Sequence, residues 1–288
     1  VPPLPEQRRI VAAIEEHFSR LDAAEADLRV ALGRTTTLMQ STLITLIPCV
    51  VVPNGWDVTT VDEAGATDLG RQRAPKYHSG ESMRPYLRVA NVFEDRLDLA
   101  DVMEMDFDAS AWARFRLIGG DILLNEGQSP HLVGRPAMYR GDPEAIAFTN
   151  SLIRFRAHED VDPEWALLVF RRHLHSRRFM REASITTNIA HLALKRFRTV
   201  EFPKPPLREQ RSLVERIRRE LEIIDRQKAS IVTAMTRLAT LRRSVLAAAF
   251  SGQLVPQDPA DEPALVLLEA IAAERTAAKP TRRKKAAL

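Results

Sequence analysis

The chain has 288 residues, 45% hydrophobic and 28% charged, with formal net charge +4, which is an ordinary soluble composition with room for more than one core. No run reaches 18 apolar residues, the densest (Leu43 to Val52) being broken by Thr45 and Pro48, so a membrane span is excluded and a cytoplasmic protein is expected. A single cysteine, Cys49, makes neither a disulfide nor a cysteine-based metal site, and in that apolar run it reads as a buried structural thiol.

The first element is a long helix from about Glu6 to Leu43, announced by Pro2-Pro3-Leu4-Pro5-Glu6-Gln7-Arg8. Proline suits the approach and first turn but not a helix interior, and Glu6 complements the helix dipole. The same words return at Pro205-Pro206-Leu207-Arg208-Glu209-Gln210-Arg211. Residues 2–43 align without a gap on 205–246, with 16 of 42 positions identical, among them Val11/Val214, Ile14/Ile217, Asp22/Asp225 and Ser41/Ser244. A second helix, Glu209 to Leu246, is therefore expected, each helix being roughly 55 Å long. Its heptad seam is Val214, Ile217, Leu221, Ile224, Ile231, Met235, Leu238 and Val245, with Lys228 and Arg242 in the two remaining slots. The equivalent slots of the first helix are Val11, Ile14, Phe18, Leu21, Glu25, Leu28, Leu32, Thr35, Met39 and Thr42. Lone helices with such seams are unstable in water, and an insert whose ends must come close favours packing them as an antiparallel pair. Glu25 and Lys228, equivalent polar residues near mid-helix, are the candidates for a register-setting ion pair at the pseudo-twofold point, the alternative being that both point outward.

Between the helices, residues 54–204 read as mixed α/β. Strand-like runs fall at Asp57 to Val61, Tyr86 to Val92, Asp121 to Asn125, Pro136 to Tyr139, Ala145 to Phe155 and Arg198 to Phe202, separated by Gly/Pro/Asp turns. A helix should start at Asp162-Pro163-Glu164-Trp165, with Asp as cap, and run towards Arg181. Charge is uneven: net −8 over residues 53–164, then +7 over 165–204. The cations Arg171, Arg172, Arg177, Arg178, Arg181, Lys195, Arg196 and Arg198 are either a phosphate-facing surface or a counterweight to the acidic part of the same module. The loop Gly70 to Gly80 is polar, basic and aromatic, the composition of a segment lying along a nucleic-acid backbone. Five basic residues without an acid between Lys279 and Lys285 read as a disordered tail.

Catalytic motifs are not found. The chain has no phosphate-binding Gly-rich loop, no dinucleotide fingerprint, no His-Glu-x-x-His, no paired Cys/His spacing and no Asn/Asp-Pro-Pro-aromatic tetrapeptide. His173 and His175, two apart on a helix, cannot share a face and read as structural.

A doubled Pro-Pro-Leu-x-Glu-Gln-Arg helix start around a mixed α/β module resembles the specificity subunit of type I restriction-modification systems. Further matches are Asn54-Gly55-Trp56, Tyr86-Leu87-Arg88-Val89-Ala90-Asn91-Val92, Gly120-Asp121-Ile122-Leu123-Leu124, Gly134-Arg135, Phe148-Thr149-Asn150 and Phe250-Ser251-Gly252-Gln253-Leu254-Val255-Pro256. The resemblance implies an α+β fold in which a mixed α/β target recognition domain is flanked by two long helices forming an antiparallel coiled coil. It implies the divisions 1–47 (first helix), 48–204 (recognition domain), 205–250 (second helix), 251–278 (extension with a short helix) and 279–288 (basic tail). It further implies a non-catalytic subunit that reads one half of a bipartite site in double-stranded DNA and positions methyltransferase (M) and restriction/translocase (R) subunits. No cofactor is expected on this chain; S-adenosylmethionine, ATP and Mg are implied for the partners. The family order is module, helix, module, helix, whereas this chain has helix, module, helix and looks like the C-terminal part. Either a first recognition domain precedes it, or it is a shortened form that pairs with another copy. The segment Leu43-Ile44-Thr45-Leu46-Ile47-Pro48 also departs from the Phe-Ser-Gly-Gln-Leu ending of the second helix.

DNA-reading positions vary between family members, so candidates rest on chemistry: Arg, Lys, Asn and Gln bond base edges, while Lys, Arg, Ser and Tyr hold phosphates. These are Arg71, Arg73, Lys76, Tyr77 and Arg88, then Asn125, Gln128, Ser129, His131 and Arg135, followed by Asn188, Lys195 and Arg196. The acidic run Glu94 to Asp108 should face away from DNA. Arg71→Ala or Lys76→Ala should then weaken DNA binding and lower its salt dependence. The rival is a coiled-coil hairpin displaying a protein-interaction head, which explains the heptads but not the repeated helix start.

Overall fold

In the computed structural model, which describes residues 2–186 and 188–277, the chain divides into two units: Thr36–Asp225, and Val1–Thr35 together with Arg226–Leu288. The basic tail 279–288 lies outside the described residues. The long helices are Leu4–Leu46 and Leu207–Phe250, and a shorter one spans Ala264–Ala277. Among the described residues no helix is long and apolar enough to cross a membrane.

The unit Thr36–Asp225 is built on an antiparallel four-stranded sheet, ordered Gly65–Leu69, Leu152–Ala157, Ile122–Asn125, Pro136–Met138. Its central strand Ile122–Asn125 is buried at all four positions, because both faces of the sheet are covered. Alternation along the strands divides the side chains between two cores. Ile122, Leu124, Ile153, Phe155 and Met138 face the helix Pro163–His175, while Leu123, Leu152 and Ala137 face Leu87, Tyr139 and Phe148. That helix starts as the sequence indicates: Asp162 accepts hydrogen bonds from the amides of Glu164 and Trp165, with Pro163 in the first turn. Phe170 on it touches Phe155 (4.9 Å), Phe197 (5.5 Å), Phe202 (6.1 Å) and Phe179 (6.2 Å). The helix ends earlier than expected, since Arg177 adopts a left-handed φ of 57°, and a separate turn of helix runs Arg178–Glu182.

Strands Asp57–Thr60 and Glu201–Lys204 pair antiparallel, Asp57 opposite Lys204, so the start and end of the module meet. The Pro-Pro-Leu-x-Glu-Gln-Arg segment is fastened at this point. Glu209 accepts the indole N–H of Trp56 at 2.8 Å, and Trp56 stands edge-on to Trp165 at 5.7 Å. Gln210, wholly buried, donates to the carbonyls of Pro205 (2.8 Å) and Asp160 (3.0 Å) and accepts from the Asp162 amide (2.8 Å). In the first copy Gln7 makes the corresponding bond, to the Pro2 carbonyl at 2.8 Å. The Glu-Gln of the motif is thus a latch more than a dipole complement. Within this unit the helix ends also join the module core: Leu43 and Ile47 from the first helix, and Val214, Ile217, Leu221 and Ile224 from the second.

In the other unit the two helices run antiparallel, Arg242 pairing with Asp22 and, at 3.1 Å, with Glu25. Ile14, Phe18, Leu21, Leu28 and Leu32 are half-buried along one side and Ile231, Met235, Leu238 and Val245 along the other, as the heptads require. The Glu25–Lys228 contact does not form: Glu25 meets Arg29 (2.6 Å) and Arg242, and Lys228 is exposed. Equivalent residues of a pseudo-symmetric antiparallel pair meet only at the twofold point. Pairing of Arg242 with Asp22 and Glu25 sets that point near Ala31 and Ala234, beyond Glu25.

Three members of the basic cluster serve as the counterweight. Arg171 bonds Glu94 (2.8 Å) and approaches Asp95 (3.4 Å), Arg178 bonds Glu201 (2.8 Å) and Glu182, and Arg198 bonds Asp62 (3.1 Å) and Thr67 (2.7 Å). Cys49 is buried, and burial pushes its thiol up to about 12. Native protein should therefore resist iodoacetamide at pH 8 and react once unfolded in guanidinium; rapid native alkylation would contradict this.

Candidate nucleic-acid interface

Four chain crossings converge at one end of the four-stranded sheet. The chain leaves Gly65–Leu69 through Arg71 and leaves Ile122–Asn125 through Glu126; it enters Leu152–Ala157 from Thr149 and enters Pro136–Met138 from Arg135. Backbone bonds knit them: Arg71 N–H to Phe148 O, Asn150 N–H to Arg71 O, Glu126 N–H to Ser151 O, and Gly134 N–H to Asn125 O. A ribbon, Ser184–Thr186 paired with Ile189–His191, is stitched to the same end through Gly127–Gln128, with Ala190 opposite Gln128. Most of the expected residues are thereby gathered, although they come from segments far apart in sequence.

Arg71 is buried, its guanidinium 3.9 Å above the Tyr77 ring and 5.1 Å from Phe107. Its Nη1 lies 3.7 Å from Asp108, too far for a hydrogen bond, and has no hydrogen-bond partner among the described residues. Lys76 and Arg73 are exposed beside it, Lys76 Nζ 4.9 Å from the Tyr77 ring and Arg73 5.9 Å from that of Tyr86. A hydrogen bond from Lys76, aided by Arg71, holds the Tyr77 hydroxyl below the usual phenol range. Arg88 is spent on Asp101. Gln128 and Ser129 are half-buried, the Gln128 amide oxygen accepting from the Ser129 N–H at 3.0 Å. His131 is exposed at a cavity of about 240 Å³ that it shares with Glu94 and His175. Arg135 lies 4.7 Å over Phe93 and is half-buried. Asn188 is exposed in the ribbon's turn, and Lys195 and Arg196 are exposed on the adjoining helix Leu194–Arg198, with Arg196 bonded to the Glu182 carbonyl at 2.8 Å.

Two expectations need correction. Asn125 is wholly buried and donates to the Val92 carbonyl (3.4 Å), so it presents nothing to a duplex; the sheet end there is covered on both faces. The acidic run does not face away throughout, since Asp108 stands across from Arg71, its carboxylate held by the Ala111 amide at 2.8 Å. Glu94 does lie apart from loop Gly70 to Gly80: burial pulls its pKa up, but the hydrogen bond from His175 and the charge of Arg171 win and take it down to about 2.

The ribbon Ser184–His191 escaped the sequence reading, as did the helix Ala109–Phe115 that faces Arg71. The signal for the first was present: β-branched Ile185, Thr186 and Ile189 around an Asn turn. Ile185 and Ile189 are about half exposed at its tip (53% and 51%), flanked by polar Ser184, Thr186 and His191. A two-stranded ribbon is of a size to enter a DNA major groove, where apolar groups meet thymine methyls and polar ones meet base edges.

No family model matches the chain. It is similar to the type I restriction enzyme EcoKI specificity subunit of Escherichia coli K12, 27% identical over 235 residues that cover 77% of this chain and 51% of that protein. It is also similar to the StySPI specificity subunit of Salmonella potsdam, 25% identical over 307 residues covering 99% of this chain and 66% of the relative. The chain thus spans between half and two thirds of the length of these curated relatives. Among solved structures, the HsdS subunit of Thermoanaerobacter tengcongensis shares the fold at TM-score 0.59 and 23% identity, over 88% of this chain and 60% of that one. A chain from a structure of the type I R-M system superposes at TM-score 0.73 with 21% identity, over 88% and 61% of the two chains. Along most of its length the chain is thus similar to the specificity subunits of type I restriction enzymes, and the doubled latch motif and antiparallel helices stand within the matched region.

Proposed function

We propose that this chain is the non-catalytic, sequence-reading part of a type I restriction-modification complex, its module 48–204 recognising one half of a bipartite site in double-stranded DNA. The observation that supports the reading is the single sheet end from which the segments carrying Arg71, Gln128, Arg135 and the exposed ribbon leave. Residues 1–47 and 205–250 then act as the spacer and as the seat for methyltransferase (M) subunits that bring S-adenosylmethionine, while an R subunit supplies ATP- and Mg-dependent translocation and cleavage. The complex acts in the cytoplasm. Selection from randomised duplexes by the chain co-expressed with a methyltransferase partner should enrich one short motif; an unenriched pool despite a formed complex would refute the reading.

The repeat supports a second half-site. Val214, Leu43 and Ile47 are at most 7% exposed, covered by the module core, whereas their equivalents Val11, Leu246 and Phe250 are 52%, 38% and 91% exposed. Glu6, the counterpart of Glu209, is buried at a cavity lined by Phe250, Ser251 and Gly252. The first latch accordingly holds a second recognition module, supplied by another copy of the chain or by a preceding domain. Light scattering distinguishes these, since pairing doubles the mass of this chain alone and Phe250→Ser abolishes the doubling.

A further inference from the structure

We propose that the cleft between the segment Arg71–Tyr77 and the helix Ala109–Phe115 seats one phosphodiester of bound DNA, with Arg71 as its buried donor. The inference rests on the DNA-reading function and specifies how one backbone contact is made. The cleft has a volume of about 470 Å³, and its polar lining is Arg71, Gln72, Lys76, Tyr77, Asp108, Ser110 and Arg114.

Arg71 is 7% exposed, and leaving a buried guanidinium N–H without an acceptor is unfavourable enough that such groups are rare unless a ligand completes them. No acceptor among the described residues lies within hydrogen-bond reach of its Nη1. The Arg71 backbone is fixed by Phe148 and Asn150, its plane lies on Tyr77, and the nearest carboxylate, Asp108, is held 3.7 Å away by the Ala111 amide. The missing partner is therefore an acceptor that comes from outside. With Arg114 paired to Asp68 at 3.5 Å, two cations, Arg71 and Lys76, face the one carboxylate Asp108, so the cleft favours an anion. A side chain this deep does not project far enough to reach a base edge inside a stacked duplex, whereas a phosphate oxygen protrudes from the strand.

The test measures binding to the selected duplex, to a scrambled duplex, and to a series carrying one methylphosphonate at each successive position. With the unaltered chain one position should weaken binding about tenfold, and in Arg71→Met that same substitution should have no effect, a charge-assisted contact having been removed once already. Arg71→Met should weaken selected and scrambled duplexes alike, lowering the salt slope by about 0.9. Lys76→Gln should do the same to a lesser degree, and Asp108→Asn should tighten both duplexes about two- to threefold by removing the like charge. These two variants alter exposed groups and decide the matter should Arg71→Met unfold; absence of opposite shifts would overturn the proposal. Loss confined to the selected duplex would make Arg71 a base reader instead, and an unchanged methylphosphonate profile would exclude the phosphate. Failure of the unaltered chain to bind any duplex would instead refute the functional reading.

Discussion

Gln210→Ala should lower stability by about 3 kcal/mol and the melting temperature by roughly 6–10 °C, whereas Gln7→Ala should lower stability by about 1 kcal/mol or less. The two glutamines are equivalent in sequence and make the same 2.8 Å bond five residues back. Only Gln210 is wholly buried and also joins the Asp160 carbonyl and the Asp162 amide. Truncating it strands the buried Pro205 carbonyl and takes the partner from two part-buried groups, the Asp160 carbonyl and the Asp162 amide, and a buried group left unsatisfied costs more than the bond itself contributes. Gln7 is half-buried, and its loss releases one carbonyl. Thermal melts of the two variants side by side check this; equal losses would show that the latch does not depend on what it holds. In an assembly whose first latch is occupied by a second module, Gln7→Ala should become as damaging as Gln210→Ala, and it should weaken that assembly.

The long helices were legible because the heptad seam is written twice in the same register, which fixes both periodicity and partner faces at once. Where the twofold point falls was not legible: the repeat says that Glu25 corresponds to Lys228, but only packing decides that Arg242 reaches Asp22 and Glu25. The positive surplus of residues 165–204 reads as a surface because charge runs usually are one, yet Arg171, Arg178 and Arg198 close on acids from remote segments. At the candidate interface, the loop around Arg71 stood out by composition, and its burial over Tyr77 did not, since it depends on Phe148 and Asn150, nearly 80 residues away. Asn125 failed for the same reason in reverse. It closes a run, Ile122-Leu123-Leu124, that the fold covers on both faces, and a lone amide at a strand end cannot reveal that. The ribbon Ser184–His191 pairs with a strand of only two residues, Gly127–Gln128, too short to be recognised from sequence.

Acidification should unfold the module in a manner traceable to His173. This histidine is fully buried, with Nε2 2.9 Å from the Glu201 carbonyl; a carbonyl only accepts, so Nε2 carries the proton and Nδ1, facing the Arg172 guanidinium at 3.4 Å, is bare. Burial, reinforced by the charge of Arg172, takes its pKa down to about 3. The unfolded chain binds a proton there below about pH 6.5 while the native chain does not until about pH 3, so stability falls as pH drops through that window and is untouched above it. At pH 5 the penalty is about 2 kcal/mol, 1.5 pH units at about 1.36 kcal/mol each. Glu94, held at about 2, adds its own loss only below its ordinary value near 4.5, where the unfolded carboxylate takes up a proton first. The two windows overlap between about pH 4.5 and 3 and are separable above pH 4.5, where only that of His173 is open. His173→Gln, which can still donate to the Glu201 carbonyl, should flatten the dependence of melting temperature on pH between 6.5 and 4.5 and leave the steeper fall below 4.5 in place. Parallel curves for the two proteins across the upper window would mean that His173 is not the group that titrates.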